Sequence, residues 1–252
     1  MSQIEQLTIN WNYHFAQRYW AAQDNGHPMS INRLINSQSV MGLKRFTIQC
    51  NVPSKSLFKS IVTSTHLNNL EHLHIQTQTL PTHALQYLAN APQLQQLKTL
   101  AIQQRIDGPS FDSRKQESTT LIEKLNDTHL EHLSLEGIAL TTHAIRTLMH
   151  NIMPKLDTLN LKHNGLNDQD MLILLLNPPK WFVQLKTIRL NQSLRLTDKS
   201  IQSLASSSLP NLEHLDLTGN QSLTHLAKKH IDQSTTLPRL KHVIWPANLI
   251  QD

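Results

Sequence analysis

One pattern, Leu-x-x-Leu-x-Leu-x-x-Asn, returns at near-regular intervals along this chain and constrains its fold more than any other feature. The clearest copies are Leu156-Leu159-Leu161-Asn164 and Leu212-Leu215-Leu217-Asn220. Ile4-Leu7-Ile9-Asn12, Leu43-Phe46-Ile48-Asn51 and Leu240-Val243-Trp245-Asn248 fit the same frame, and looser copies begin at Leu70, Leu97, Leu130 and Leu185. Successive first residues are 39, 27, 27, 33, 26, 29, 27 and 28 positions apart. A fixed period of this size marks a stacked-repeat architecture. One unit cannot bury its apolar residues alone, and each neighbour completes the core of the last.

Within a unit, apolar residues at alternating positions predict a short strand with its leucines facing in. A unit near 27–28 residues leaves room for a helix of several turns after the strand. Ala84-Leu85-Leu88-Ala89, Ala144-Ile145-Leu148-Met149 and Ile201-Leu204-Ala205 have the helical spacing, and Thr82, Thr142, Asp168 and Asp198 stand ahead of such segments as cap candidates. Pro92, Pro154, Pro210 and Pro238 fall shortly before the next strand, where a helix must stop. Asn12, Asn51, Asn164, Asn220 and Asn248 are expected to form a buried ladder, because an amide both donates to and accepts from the next turn's backbone. Gln78, Arg105, Ile138 and Ser193 replace that asparagine, and the first three are consecutive copies, so an irregular turn edge is expected in the middle of the array.

By the strand motif, the repeat length and the helical outer segment, nearly the whole chain resembles the ribonuclease-inhibitor-like subfamily of leucine-rich-repeat proteins. The resemblance implies an α/β solenoid, a horseshoe of about nine repeats with a concave parallel sheet and convex helices. Residues 1–252 are then one domain, with 1–42 an atypical N-terminal capping repeat, 43–239 the central repeats and 240–252 a C-terminal cap containing Trp245 and Ile250. The subfamily usually has Gly before the helix's apolar run, where this chain has Ser56, Ala84, Ala144, Asp170 or Ser200. The Gly-poor, Gln/Asn/His-rich composition is also similar to leucine-rich-repeat effectors that intracellular bacteria deliver through type IV secretion, which implies a host cytosol as destination.

Composition narrows the functional classes. A single cysteine, Cys50, excludes an internal disulfide and fits a reducing, cytoplasmic setting. Met1-Ser2-Gln3-Ile4-Glu5 lacks the basic and apolar regions of a secretory signal, and the apolar run Met171–Leu176 is too short to span a membrane. The net charge of +5 is mild and its lysines and arginines are scattered, which argues against nucleic acid.

Strand alternation assigns three outward columns. The first holds Gln6, Arg45, His72, Thr99, His132, Thr158, Thr187, His214 and His242, and the second Thr8, Thr47, His74, Ala101, Ser134, Asn160, Arg189, Asp216 and Ile244. The third holds Asn10, Gln49, Gln76, Gln103, Glu136, Lys162, Asn191, Thr218 and Pro246, with His163 beside it. This face is polar and sparsely charged, as suits a protein partner, and Trp11, Arg45 and Arg189 are its anchor candidates. Two insertions should leave from one rim, a common place for binding loops. The first carries Trp11, Tyr13, Phe15, Tyr19 and Trp20, which serve equally well as an end cap; the second carries Asp107 to Phe111.

No catalytic set, metal site or cofactor motif stands out. His72 and His74 share a strand face without a third ligand type nearby, His214 and Asp216 lack an oxyanion context, and Cys50 has only His74 near it. The expectation is therefore a monomeric, non-enzymatic module that docks a folded protein. Its most concrete form is an inhibitor covering the active site of an enzyme, either a host protein or another bacterial effector. The alternatives are a ubiquitin-ligase substrate adaptor, which would need a helical segment ahead of Ile4, and a nucleic-acid-binding solenoid.

Overall fold

The computed structural model describes residues 4–11, 31–51, 53–105, 114–193 and 195–250. Each motif copy becomes one strand: β1 (Gln6–Trp11), β2 (Arg45–Cys50), β3 (His72–Thr77), β4 (Thr99–Gln104), β5 (His132–Glu136), β6 (Thr158–Asn160), β7 (Thr187–Arg189), β8 (His214–Asp216) and β9 (His242–Ile244). All are parallel, and they lie side by side in chain order. Gln6, Arg45, His72, Thr99, His132, Thr158, Thr187, His214 and His242 are successive partners across the sheet, so the columns drawn from the motif are the physical columns. The fold is an α/β repeat solenoid.

The inward rows make the core. Phe46, Leu73, Leu100, Leu133, Leu159, Ile188 and Leu215 form one row, and Ile48, Ile75, Ile102 and Leu135 another; none is more than 2% exposed. The opposite wall comes from α1 (Ile31–Ile35), α2 (Lys55–Thr63), α3 (Ala84–Ala89), α4 (Arg114–Lys124), α5 (Thr142–His150), α6 (Asp168–Leu176), α7 (Lys180–Val183), α8 (Asp198–Ser206) and α9 (His225–Asp232). The runs picked out by helical spacing are its buried stripes, with Met149 alone only partly covered. Trp181 and Phe182 of α7 add an edge-to-face aromatic pair, ring centroids 5.6 Å apart, on this helical side. At the C-terminal end Leu249 is buried and Trp245 is partly buried against the core, whereas Ile250 is 63% exposed.

The helix caps lie one residue earlier than three of the predicted ones. Thr141, Asn167 and Thr197 cap α5, α6 and α8, each accepting a backbone N–H through its side-chain oxygen, and Ser54 and Thr224 do the same for α2 and α9. The neighbouring acid or hydroxyl is used between repeats instead. Asp168 accepts from the N–H and hydroxyl of Thr197 at 2.9 and 2.7 Å and from the Ser200 hydroxyl, and Asp198 accepts from Thr224 at 2.8 and 2.6 Å. Thr142 donates to Asp170 at 2.8 Å. Burial pushes the Asp168 carboxyl up, but the Ser200 and Thr197 hydrogen bonds outweigh it and hold the group below its ordinary value. Thr82 is not a cap; His83 precedes α3 in the left-handed region at φ 68°, its N–H donating to Glu117 at 3.0 Å.

The asparagine ladder forms in the C-terminal half. Buried Asn164 accepts from Ile138 N at 3.1 Å and Leu140 N at 3.4 Å, and donates to the carbonyls of Leu135, Leu161 and Lys162. Asn220 accepts from Ser193 N and donates to the carbonyls of Leu190 and Leu217, and Asn248 donates to that of Leu223. At Asn51 the backbone carbonyl does this work, taking N–H groups from Gln78 and Thr79, and Asn12 lies outside the described residues. At Ile138 two left-handed residues, Gly137 and Ala139, flank the replaced position, and residues 106–113, which follow Arg105, lie outside the described residues. Where Gln78 and Arg105 stand, the strands β3 and β4 have run on to six residues and backbone pairs with backbone, so no amide is required. A second ladder runs beside the asparagines. Gly137, His163, Gln192 and Gly219 are all left-handed, and the first three each donate an N–H to the next repeat's carbonyl.

Candidate functional site

The sheet has one face sealed by helices and one left open. Along the N-terminal edge of the strands lies a column of charge: Glu5, Lys44, Glu71, Lys98, Glu131, Asp157, Lys186, Glu213 and Lys241, each just after the first motif residue. Signs alternate except at Glu131 and Asp157. Ion pairs close between repeats at Glu5–Lys44 (3.4 Å), Glu71–Lys98 (2.8 Å), Asp157–Lys186 (3.3 Å) and Glu213–Lys241 (3.2 Å). The Lys98 ammonium holds Glu71 below its ordinary pKa and Lys241 does the same for Glu213, while Glu71 raises Lys98. At the break in alternation, His132 Nδ1 sits 3.2 Å from Asp157. This edge neutralises itself.

The open face is different. Arg45 and Arg189 form no ion pair among the described residues, although Arg189 is the strand partner of Asp216. The two do not bridge, because Asp216 folds back onto its own turn, accepting from Thr218 N at 3.0 Å and the Thr218 hydroxyl at 2.7 Å. A depression of about 580 Å³ lies between the two arginines, with Thr47, Ala101 and Ser134 on its floor and His72, His74 and His132 around it. His72 bonds Thr99 at 3.0 Å. Burial, then the Arg45 guanidinium, pushes His72 and His74 below the ordinary imidazole value, so both are neutral at pH 7.

A second depression, of about 600 Å³, lies at the C-terminal ends of the strands. Asn10, Gln49, Gln76 and Gln103 are partners across four strands and line it with side-chain amides. Glu136 and Lys162, paired at 3.3 Å, and His163 close its far side; burial, followed by Lys162, lowers the His163 pKa. Cys50 also lines it, but burial raises its thiol pKa to about 12, which leaves it protonated and unreactive.

Three residues expected on the face are buried: Thr99 is 8%, Asn160 is 5% and Asn191 is 9% exposed. Thr99 is hydrogen-bonded by His72, Asn160 is the last residue of β6, and Asn191 lies beyond β7, which has shortened to three residues, so outward alternation has ended there. Asn160 takes a hydrogen bond from Lys162 N at 3.1 Å and gives one to Ser134, while Asn191 lies in the turn. His214 and His242 stay exposed and stack on each other, centroids 4.9 Å apart, on β8 and β9, next to the Arg189 end of the central depression but not lining it. Phe111 and the aromatics from Tyr13 to Trp20 lie outside the described residues, and of Trp11 only the backbone, paired with Cys50, is placed. The charge column was open to sequence reasoning, since it follows from aligning the repeats one position beyond the first leucine.

Among the described residues no three of His, Cys, Asp and Glu converge as metal ligands, and no helix is long and apolar enough to cross a membrane. No protein-family model matches the chain. A search of curated proteins also finds no match. Among solved structures it is similar to a chain in the crystal structure of the Rad7 and Elc1 complex in yeast, at 16% identity over 84% of this chain and 71% of that one, with a TM-score of 0.31.

Proposed function

We propose that this chain is a non-enzymatic protein-binding module that docks a folded protein on the open face of its sheet, the concave side of a horseshoe formed by one domain over residues 1–252. One observation carries the reading. Nine strands present hydrogen-bonding side chains and two arginines without an ion-pair partner among the described residues, while four ion pairs close along the charged edge beside them. Unsatisfied polar groups on a rigid, preformed surface are what a partner can use without reordering the protein. The resemblance to ribonuclease-inhibitor-like repeats supports a finer form, in which the solenoid covers the mouth of an enzyme's active site. The effector resemblance makes that enzyme a host protein or a second bacterial effector.

The test is steric. Ala101, in the floor of the central depression, is replaced by Trp, and exposed Gln202 on α8 by Trp as control. Both variants are checked for folding and used beside wild type to capture partners from bacterial lysate and eukaryotic cytosol. A protein kept by Gln202→Trp and lost by Ala101→Trp places docking on the open face. Equal capture by all three baits refutes it.

A further inference from the structure

The depression between Arg45 and Arg189 is one-sided in charge. Among the described residues lining it are two arginines and three histidines, the hydroxyls of Thr47, Ser134 and Thr158, and no carboxylate. Of the acids beside it, Glu71 is held by Lys98, Asp157 by Lys186 and His132, Glu136 by Lys162 and Asp216 by Thr218, while Glu131, next to His132, acts on Lys98. The arginines stand on strands five apart, which at about 4.8 Å per strand separates them by roughly 24 Å, the span of about seven extended residues. Each is exposed, and neither has a partner among the described ion pairs. Between them the polar part of the wall is histidines, hydroxyls and the amides of Gln49, Gln76, Gln103 and Asn160, all able to donate a hydrogen bond. Phosphate backbones call for a dense row of Lys and Arg; this wall has no lysine and only two widely spaced guanidiniums, a pattern that fits discrete carboxylates.

We propose that this depression receives an acidic segment of the partner protein, whose carboxylates pair with Arg45 at one end and Arg189 at the other and lie over His72, His74 and His132 between them. The inference rests on the docking reading above and specifies the partner's chemistry. It carries a pH signature. His74 faces Arg45 and His132, whose positive charges oppose its protonation. His72 faces Arg45, His74 and Lys98 as well as Glu71, and His132 faces Asp157. A docked carboxylate supplies the missing counter-charge, so binding takes up protons and tightens as pH falls toward 6.

The probe is a fluorescein-labelled peptide of alternating Glu and Gly, twelve residues long by design, titrated by anisotropy at pH 7.5 and pH 6.0, beside a single-stranded RNA of equal length. Arg45→Gln/Arg189→Gln is compared with Lys228→Gln/Lys229→Gln, which removes the same charge from exposed positions on α9. Expected are about a tenfold loss of peptide affinity in the arginine pair, corresponding to roughly 1.4 kcal/mol, and less than about twofold in the lysine pair. Wild type should bind the peptide more tightly at pH 6.0, and His74→Gln should reduce that gain. Equal losses in the two pairs would show generic attraction to a basic protein and overturn the proposal. So would preferential binding of RNA with the same arginine dependence. If Ala101→Trp abolishes partner capture while the arginine pair keeps both peptide and partner affinity, docking stands and the acidic-segment inference falls. If neither variant affects capture, both fall.

Discussion

Asn164→Ala tests whether the turn ladder holds the repeats together. Asn164 is 4% exposed and takes part in five hydrogen bonds, two of them from backbone N–H groups of the preceding repeat, Ile138 and Leu140. Alanine leaves both donors buried without a partner. Each orphaned donor costs about 1–3 kcal/mol, so a loss of about 2–6 kcal/mol is expected. The bereaved carbonyls add less, since an oxygen's second lone pair can find another partner. Asn220→Ala orphans one N–H, that of Ser193, and should cost about 1–3 kcal/mol. Asn248 donates to one carbonyl and accepts no backbone N–H, and its replacement should cost about 1 kcal/mol. Urea unfolding followed by circular dichroism gives the three values, with constancy of m checking that the array still unfolds as one unit. Hydrogen exchange gives the local readout: the Ile138 and Leu140 amides should lose protection in Asn164→Ala before amides in β2 do. Equal costs at Asn164 and Asn248, or unchanged exchange at Ile138, would refute the reasoning. Asn164→Asp adds a sign test. The introduced carboxylate can accept but not donate, and it faces the carbonyls of Leu135, Leu161 and Lys162, so its folded pKa rises above the unfolded value of about 3.9. Stability is then retained below that value and lost as pH rises through the folded pKa.

Four further outcomes follow from the geometry. Gly219→Ala, at φ +75° with the new Cβ 2.7 Å from Gln192 Cγ, should cost more than Gly165→Ala, at φ +65° with open space around it; about 1–2 against about 1 kcal/mol is expected from denaturant unfolding. His72, His74 and His163 have folded pKa values below 6.5, so the unfolded chain binds more protons, and the melting temperature should drop as pH falls from 6.5 toward 5, less so in His74→Gln. Lys98→Glu should lower the melting temperature, most at low salt, and the exchange Glu71→Lys/Lys98→Glu should restore much of it. Cys50 should resist iodoacetamide at pH 8 in the native protein and react once urea unfolds it, because its thiol is buried with a pKa of about 12.

What could be read from the residues depended on whether a position answers to the repeat or to its neighbours. The register could be read in full. A period of two on strands and a fixed step between leucines leave one alignment that buries Phe46, Leu73 and Leu100 together, and a slip of one residue would expose them all. Helix starts were misplaced by one residue because Thr141-Thr142, Asn167-Asp168 and Thr197-Asp198 each offer two good caps in succession. Only the stacking decides between them: the first caps its own helix and the second reaches a neighbouring repeat. Asn191 was placed outside because alternation was extended past the strand end, and strand length is fixed by pairing with neighbours, not by the motif; Asn160, the last residue of β6, is drawn in by its hydrogen bonds with Ser134 and Lys162, which no repeat pattern shows.

The charge column bears on function through the same logic. If the alternating Glu and Lys were a docking surface, they would have to exchange inter-repeat partners for new ones, and an exposed pair repays little when rearranged. Their pairing across repeats instead joins β1 to β2, β3 to β4, β6 to β7 and β8 to β9 and offsets the charge at that edge. What the described ion pairs leave uncompensated on the open face is Arg45 and Arg189, two positions where the outward columns depart from Gln, Thr, Ser and His toward fixed positive charge. A mild overall charge of +5 hides this, because the excess is spread over the whole chain while the open face concentrates its share around one depression that no described carboxylate lines. Selectivity for a partner therefore lies less in the abundance of polar groups on the sheet than in which charges the repeats leave unpaired.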